Sequence, residues 1–426
     1  MSDPARHDPY RALRASGFRR YLTGHLVGTF GFQMQGVAVG WEIYERTHST
    51  LALGLVGLAQ VVPLILFFLP AGHLVDRFDR RRVLMVALGG MALGAAGLAA
   101  VSVRQGPVPL MYAFLFLTGT ARAVYGPARS ALLPEIVPLP SFQSAVAWST
   151  GGWQMAEVLG PAAGGALLAA TGSPALIYLA HAGLSLVFAV LLIGVRLESP
   201  GRPHWSATLD SLLDGARYVL RSRILLSAIT LDLFAVLFGG AVALLPVYAK
   251  DILHVGPAGL GWLLAAQAIG AVGTTLVLAH RPPLRHAGPA LLRAVALFGL
   301  ATICFGLSRT FLLSLAALAV AGAADSVSVV IRMTLAQLGT PNELRGRVSA
   351  VNSLFIGTSN ELGHFESGAL AALIGPVAAV VAGGVGTLVV VGVVARKWPE
   401  LGAMGRIEDS VNGQRSTVNG TSPPSG

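Results

Sequence analysis

Charge is scarce in this chain, and cysteine is all but missing. Only 12% of the residues are Asp, Glu, Lys or Arg, about half the share of a soluble domain. A chain of 426 residues cannot cover a water-facing surface with so few charges, which excludes a soluble globular enzyme and leaves lipid as the solvent. Cys304 stands alone. No disulfide within one chain and no cysteine metal site is then possible, and its apolar surroundings predict a small buried hydrophobe. Phosphate-binding glycine loops, H-E-x-x-H pairs and loops long enough to hold a folded domain are also missing, so no cofactor, no metal and no enzyme activity are expected, and ATP-driven pumping is disfavoured. Nor does the net charge of +10 come from long like-charge blocks. The arginines sit in short clusters between apolar runs, the pattern of cytoplasmic membrane loops rather than of nucleic-acid-binding tails, so no nucleic acid partner is expected. The first apolar run leads into Gln33, Gln35 and Trp41 without a cleavage site and reads as a retained first helix that also targets the chain.

What is present is apolar length. A bilayer core of ~30 Å needs about 20 apolar residues per helix. Segments of that kind lie at 20–43, 51–73, 83–103, 108–131, 142–170 and 173–196, then at 223–249, 257–279, 289–307, 310–334, 347–371 and 373–396. They are too long for barrel strands and do not alternate, so helices are expected. Arg6, Arg11, Arg14, Arg19 and Arg20 precede the first segment, Arg77, Arg80, Arg81 and Arg82 follow the second, Arg281 and Arg285 the eighth, Arg345 and Arg347 the tenth, and Arg396 and Lys397 the last. The alternate loops are poor in them, which puts both termini in the cytoplasm. Residues 197–222 space Trp205, Leu209, Leu212, Leu213, Ala216, Val219 and Leu220 along one helix face, with Asp210, Asp214, Arg217 and Arg221 between, and are expected to form an amphipathic linker at the cytoplasmic interface. Residues 399–426 are expected to be a disordered tail, rich in Ser, Asn, Gly and Pro from about 407.

The two sets of six repeat one another. A shift of 203 residues lays 126–172 on 329–375 without a gap: Arg129 falls on Arg332, Leu132 on Leu335, Pro138 on Pro341, Leu159-Gly160 on Leu362-Gly363 and Gly172 on Gly375. Two like-oriented halves, 1–196 and 223–398, place a substrate site near the midplane between them, with alternating access by rocking.

Gly72-His73-Leu74-Val75-Asp76-Arg77-Phe78-Asp79-Arg80-Arg81-Arg82 resembles the loop signature G-x-L-x-D-R-x-G-R-[RK] of the major facilitator superfamily, with Asp79 in place of the last glycine. The resemblance implies a conformational latch at Gly72, Asp76, Arg77, Arg80 and Arg81. Positive-inside topology alone accounts for the arginines but not for Gly72 and Asp76. Ala156-Glu157-Val158-Leu159-Gly160-Pro161-Ala162-Ala163-Gly164-Gly165 is similar to that superfamily's antiporter motif G-x-x-x-G-P-x-x-G-G, with Ala156 for the first glycine. Gly160, Pro161, Gly164 and Gly165 carry it, and close helix packing is the other reading of these small residues. Pro127 to Pro138, their partners around Thr340 to Val348, and Thr47-His48-Ser49-Thr50 look like the branch of enterobactin-exporter and macrolide-efflux-like proteins. The resemblance implies an all-α membrane protein of twelve transmembrane helices in two pseudo-symmetric six-helix bundles. It also implies efflux of drug-like or siderophore-like compounds with a proton gradient as the energy source.

An ionisable group within a span costs ~3 kcal/mol or more and is a functional candidate by default. Arg122, Glu157, Asp232, Asp325, Glu361 and Glu366 are such groups, with Glu42 near an outer end and His25, His181 and His364 also within spans. The repeat makes Arg122 and Asp325 equivalent, and they are expected to face one another across the pseudo-twofold axis. A carboxylate beside an arginine stays ionised, whereas one parted from it in a dry site takes up a proton, so Asp325, Arg122, Asp232 and Glu157 are the proton-coupling candidates. A static ion pair is the alternative for Arg122 and Asp325, and simple hydration for Asp232. Gln33, Gln35, Trp41 and Tyr125 are candidates to line the substrate cavity, with helix packing as their alternative. The expected protein is a monomeric exporter of small amphipathic compounds in a bacterial-type inner membrane, with the lipid bilayer and a small-molecule substrate as its partners. An importer or lysophospholipid flippase of the same fold is the runner-up.

Overall fold

The computed structural model describes residues 10–195, 197, 209–239, 241–282, 285–405 and 407. Among them there is no strand. The first six long helices are α1 (Ser16–Thr47), α2 (Thr50–Arg77), α3 (Arg80–Val103), α4 (Val108–Ile136), α5 (Leu139–Thr171) and α6 (Pro174–Ile193). A short α7 (Leu209–Arg221) follows. Then come α8 (Arg223–Phe238), α9 (Gly256–Ala279), α10 (Ala287–Leu307), α11 (Phe311–Gly339), α12 (Asn342–Ile374), α13 (Pro376–Lys397) and the one-turn α14 (Pro399–Gly402). The turns are tight. His48 takes φ 47° to reverse the chain after α1, and Gly172, at φ 64°, ends α5 with its N–H on Leu168 O at 2.8 Å, a conformation that costs glycine nothing.

Among the described residues, nine helices are long and apolar enough to cross a membrane. Three more of 32, 33 and 33 residues, α1, α5 and α12, are not among the nine, because polar groups lower their hydropathy. These are His25, Gln33, Gln35 and Glu42 in α1, Gln154 and Glu157 in α5, and Asn352, Asn360, Glu361, His364 and Glu366 in α12.

The described residues fall into two compact units. One takes in Met1–Arg46, Ala59–Ser206 and Gly256–Ala265, the other Thr47–Leu58, Ala207–Val255 and Ala266–Gly426. These differ from plain halves in that the opening turns of α2 and α9 each count with the other half. In the first unit α3 packs along both α4 and α6, and in the second α10 packs along both α11 and α13. The cores correspond as well: Leu22, Leu88 and Leu132 are buried in one, and Leu225, Leu291 and Leu335, each 203 residues on, in the other. Because lipid is as apolar as leucine, close packing rather than burial from water holds such helices together. Gly384 illustrates this, since a methyl group there would meet Gly299 O at 2.8 Å.

Cys304 corrects an expectation: it is exposed on α10. In a membrane helix an apolar side chain faces lipid as readily as the core, so hydrophobicity does not predict burial. Within the segment read as a linker, α7 covers Leu209–Arg221. Gly215 lies against Arg347 and Val351 of α12, Val219 is buried, Tyr218 donates to Gly339 O at 2.6 Å, and Arg347 donates to Asp214 at 2.7 Å, while Leu213, Arg217 and Leu220 are exposed. Trp205 and residues 198–204 and 206–208 lie outside the described residues.

The tail expected to be disordered from 399 is ordered at its start. Leu401 and Met404 are buried against Leu291 and Val394, and the carbonyls of Gly405 and Met404 accept from the N–H groups of Ala287 and Gly288 at 3.0 and 3.2 Å. These are the first amides of α10, which have no acceptor within their own helix. Residues 408–426 lie outside the described residues. Leu401→Ala is expected to cost about 2–5 kcal/mol, read as a lower thermal unfolding temperature of the solubilised protein. Glu400→Gln, which removes only the exposed pair with Arg223 at 3.0 Å, is expected to leave that temperature unchanged.

Candidate functional site

The second unit buries an ion pair between α8 and α11. Arg332 Nη1 lies 2.5 Å from Asp232 Oδ2, with side-chain exposures of 6% and 8%. Arg332 Nε donates to Ser328 Oγ at 3.2 Å. Asp325, Ser328 and Arg332 follow at i, i+3 and i+7 and so share one face of α11. Asp325 lies within electrostatic reach of both Asp232 and Arg332. Asp232, Asp325 and Ser328 line a small pocket together with Ala235, Val236, Val295, Phe298 and Ala324. A buried Asp–Arg pair thus has a second carboxylate within electrostatic reach, beside a mostly apolar pocket.

The same positions in the first unit carry the opposite chemistry. Subtracting 203 turns Asp232, Asp325, Ser328 and Arg332 into Thr29, Arg122, Tyr125 and Arg129. Here α1 and α4 meet in three rungs. Arg122 lies over the Phe32 ring at 4.6 Å and donates to Gln60 Oε1 of α2 at 2.8 Å. Tyr125 Oη is 3.1 Å from His25 Nδ1, which also has Thr29 Oγ1 at 3.4 Å. Arg129 stands beside Tyr21 and His25. On the α6 side of α1, Gln35 Oε1 is 2.7 Å from His181 Nδ1, and Tyr178 donates to Glu42 at 2.8 Å. Glu42 also pairs with Arg46, which donates to Gly106 O at 2.9 Å.

Of the other sequence candidates, Asp76 and Arg77 are exposed and Gly72 is half-buried. The contacts of that loop come from its second half. Asp79, standing where the signature has glycine, caps α3 by accepting from Arg82 N at 2.9 Å. Arg80 pairs with Glu135 of α4, and Arg81 donates to Val195 O at 3.0 Å. Gln33 packs on Gly160, where a methyl group would come within 2.5 Å of Gln33 Cβ. Trp41 and Glu157 are half-buried. Gly164 lies against Met34. Gly165 lies against α9, where a methyl group would meet Pro257 O at 2.5 Å and Gly261 Cα at 2.9 Å. The repeat places Gly368 at the matching point of α12, and it lies against Gly54 Cα and Thr50 O of α2, both 2.6 Å from a methyl group there. Pro161, one turn before Gly165, is interior to α5. Sequence reasoning missed Arg332 as the partner of Asp232. The signal was there, since the repeat already set it on Arg129 at a helix end.

Helices of bilayer length that bury ion pairs and hydrogen bonds along their interior faces mark a multi-pass membrane protein, and the family match makes it a transporter. The model of the transmembrane secretion effector family matches residues 7–411, and the chain belongs to that family of the major facilitator superfamily. Enterobactin exporter EntS of Shigella boydii serotype 18 is 30% identical over 380 residues, covering 88% of this chain and 89% of its own. EntS of Escherichia coli O139:H28 matches at the same identity and coverage. Among solved structures, a bacterial homologue of the human lysosomal transporter Spinster, inward-facing and occupied, aligns with a TM-score of 0.68 at 15% identity over 98% of this chain and 100% of that one. A POT family transporter bound to a thioalcohol-conjugated peptide aligns with a TM-score of 0.71 at 11% identity over 90% and 96%. These two likenesses are of fold.

Proposed function

We propose that this protein exports small amphipathic compounds across a bacterial inner membrane by alternating access, in exchange for protons. In this reading α1–α6, α8–α13 and the short turns after α8 form twelve spans in two pseudo-symmetric bundles, both termini are cytoplasmic, and a single copy works without cofactor, drawing on the proton gradient. The 203-residue correspondence of cores and helix contacts supports the duplicated plan. The antiporter-like motif and the likeness to an exporter support the direction.

The observation that carries the coupling is a second aspartate, Asp325, within electrostatic reach of the buried Asp232–Arg332 pair and lining one pocket with Asp232. Two neighbouring carboxylates in a low-dielectric site do not both stay ionised when one cation is present. One of them holds a proton while the pocket is dry and releases it when water enters, so that an opening and closing pocket exchanges a proton with each face in turn. Arg332 stays on Asp232, which leaves Asp325 as the exchanging group. Arg122, at the position equivalent to Asp325, and Glu157 on α5 complete the set of coupling candidates.

The test is transport into inverted vesicles with an imposed pH gradient, using drug and siderophore panels. Asp325→Asn is expected to insert and fold normally and to transport at the rate of empty vesicles. Undiminished proton-driven export by that variant would sink the coupling. Uptake in the opposite sense by the unaltered protein would replace export with import or lipid movement.

A further inference from the structure

The α1–α4 seam of the first unit offers hydrogen-bond donors and little to receive them. The hydroxyl of Tyr125 faces Nδ1 of His25 at 3.1 Å and that of Thr29 at 3.4 Å. Both hydroxyls can donate to Nδ1, and the tautomer that allows this carries its hydrogen on Nε2. His25 Nε2 has no hydrogen-bond partner among the described residues, and the Tyr21 hydroxyl has none but Arg129, from which it accepts, so its own O–H is unspent, although His25 is 2% exposed and Tyr21 is 0% exposed. Buried polar groups are seldom left so. Arg129 stands beside both. A hydroxyl, an imidazole N–H and a guanidinium thus converge, and none of the repeat-related positions here is acidic, in contrast to the second unit. The walls are rings: Tyr21 and His25 stack at 6.1 Å and 21°, Phe188 meets Tyr21 edge-on at 6.1 Å, and Arg122 covers Phe32 two turns along α4.

We propose that this seam is an anion subsite that receives the oxyanion of an aromatic organic acid, a carboxylate, phenolate or sulfonate on a ring, as the transporter's cargo. The oxyanion accepts from Arg129, Tyr21 Oη–H and His25 Nε2–H, and the ring extends toward the Arg122–Phe32 stack. A lipid phosphate is the wrong occupant. Arg129 lies about 10 Å from the end of α4 at 1.5 Å per residue, but Tyr21 and His25 are 0% and 2% exposed, so the donors face the helix interior and not the headgroup layer. The assignment rests on the transport reading and narrows its substrate class.

Binding to the full chain in lipid nanodiscs, without any gradient, tests it. The probes are 2-naphthoate, 2-naphthylmethylammonium and decalin-2-carboxylate, which separate charge sign from ring character at nearly constant shape. The naphthoate is expected to bind at least about tenfold tighter than either of the others, and Arg129→Gln is expected to weaken it by roughly tenfold to a hundredfold, as loss of a charge-assisted hydrogen bond does. Arg129→Lys is expected to keep most of the affinity. Tyr21→Phe preserves shape and is expected to weaken binding severalfold, which keeps the test open should the arginine variants fail to fold. Equal or tighter binding of the ammonium, or full affinity in folded Arg129→Gln, overturns the assignment. Selective naphthoate binding in a protein that moves nothing under a pH gradient would end the antiport reading and leave the subsite standing. Proton-driven export that prefers the ammonium would do the reverse.

Discussion

Asp232→Ala is expected to destabilise this protein by about 3–5 kcal/mol, the cost of leaving a buried guanidinium without its partner. Arg332 has a side-chain exposure of only 6%, and its other hydrogen bond goes to a neutral serine. The double variant Asp232→Ala/Arg332→Ala removes both charges and is expected to recover most of that loss, because a buried pair contributes little net stability over an apolar replacement. Thermal unfolding of the solubilised protein, in a double-mutant cycle, measures this. Transport separates the two roles of the site. If the pair only fixes packing, the double variant regains export along with stability. If the acidic pocket couples protons, it regains stability and stays inactive. Asp325→Asn makes the contrast, because Arg332 keeps Asp232 and little stability is expected to be lost. Equal destabilisation by Asp325→Asn and Asp232→Ala would mean that Arg332 divides itself evenly between the carboxylates, and the assignment of Asp325 as the exchanging group would fall.

The helices were legible because lipid imposes a length. Runs of twenty apolar residues have no other use in this chain, and the turns between them are marked by Gly172, Gly375 and arginine clusters. Which face of a helix looks inward was not legible in the same way, as Cys304 shows: both faces of α10 are apolar, and only the packed structure tells lipid from core. Charged residues were legible as candidates, since each must be compensated, but their partners were not. Asp232 was a proton-coupling candidate with simple hydration as its alternative, and in the structure it meets Arg332, a hundred residues on. The loop signature drew the eye to Gly72, Asp76 and the arginines and said nothing of Asp79, which sits where family members carry glycine and makes a helix cap that a glycine does not make. His25 was legible only as a histidine within a span, because the lack of a partner for its buried Nε2 is a property of packing and leaves no pattern in sequence.

Gly165→Leu and Gly368→Leu are expected to fail together and for one reason. Each glycine lies against the backbone of a crossing helix, Gly165 against Pro257 and Gly261, Gly368 against Thr50 and Gly54, and the repeat makes the two crossings equivalent. Backbone cannot swing aside as a flexible side chain does. Any carbon added there pushes the helices apart, and such overpacking costs ~1–3 kcal/mol. Under alternating access that cost falls only on the conformation in which the crossings are closed, so each substitution shifts the population toward the open one by roughly ten- to a hundredfold. With the proposed cytoplasmic termini, these crossings are at the external end, and the shift is toward the outward-open state. Spin labels at His48 and Ala378, on a Cys304→Ala background, bracket the Gly368 crossing, and their separation is expected to lengthen in Gly368→Leu. Gly183→Ala, at a position on α6 with nothing within 4 Å of an added methyl group, is expected to leave both separation and transport unchanged. Alanine at 165 and 368 should give smaller shifts of the same sign. An unaltered label separation in Gly368→Leu, in a protein that has lost transport, would mean that the crossings are static packing and that the moving parts lie elsewhere.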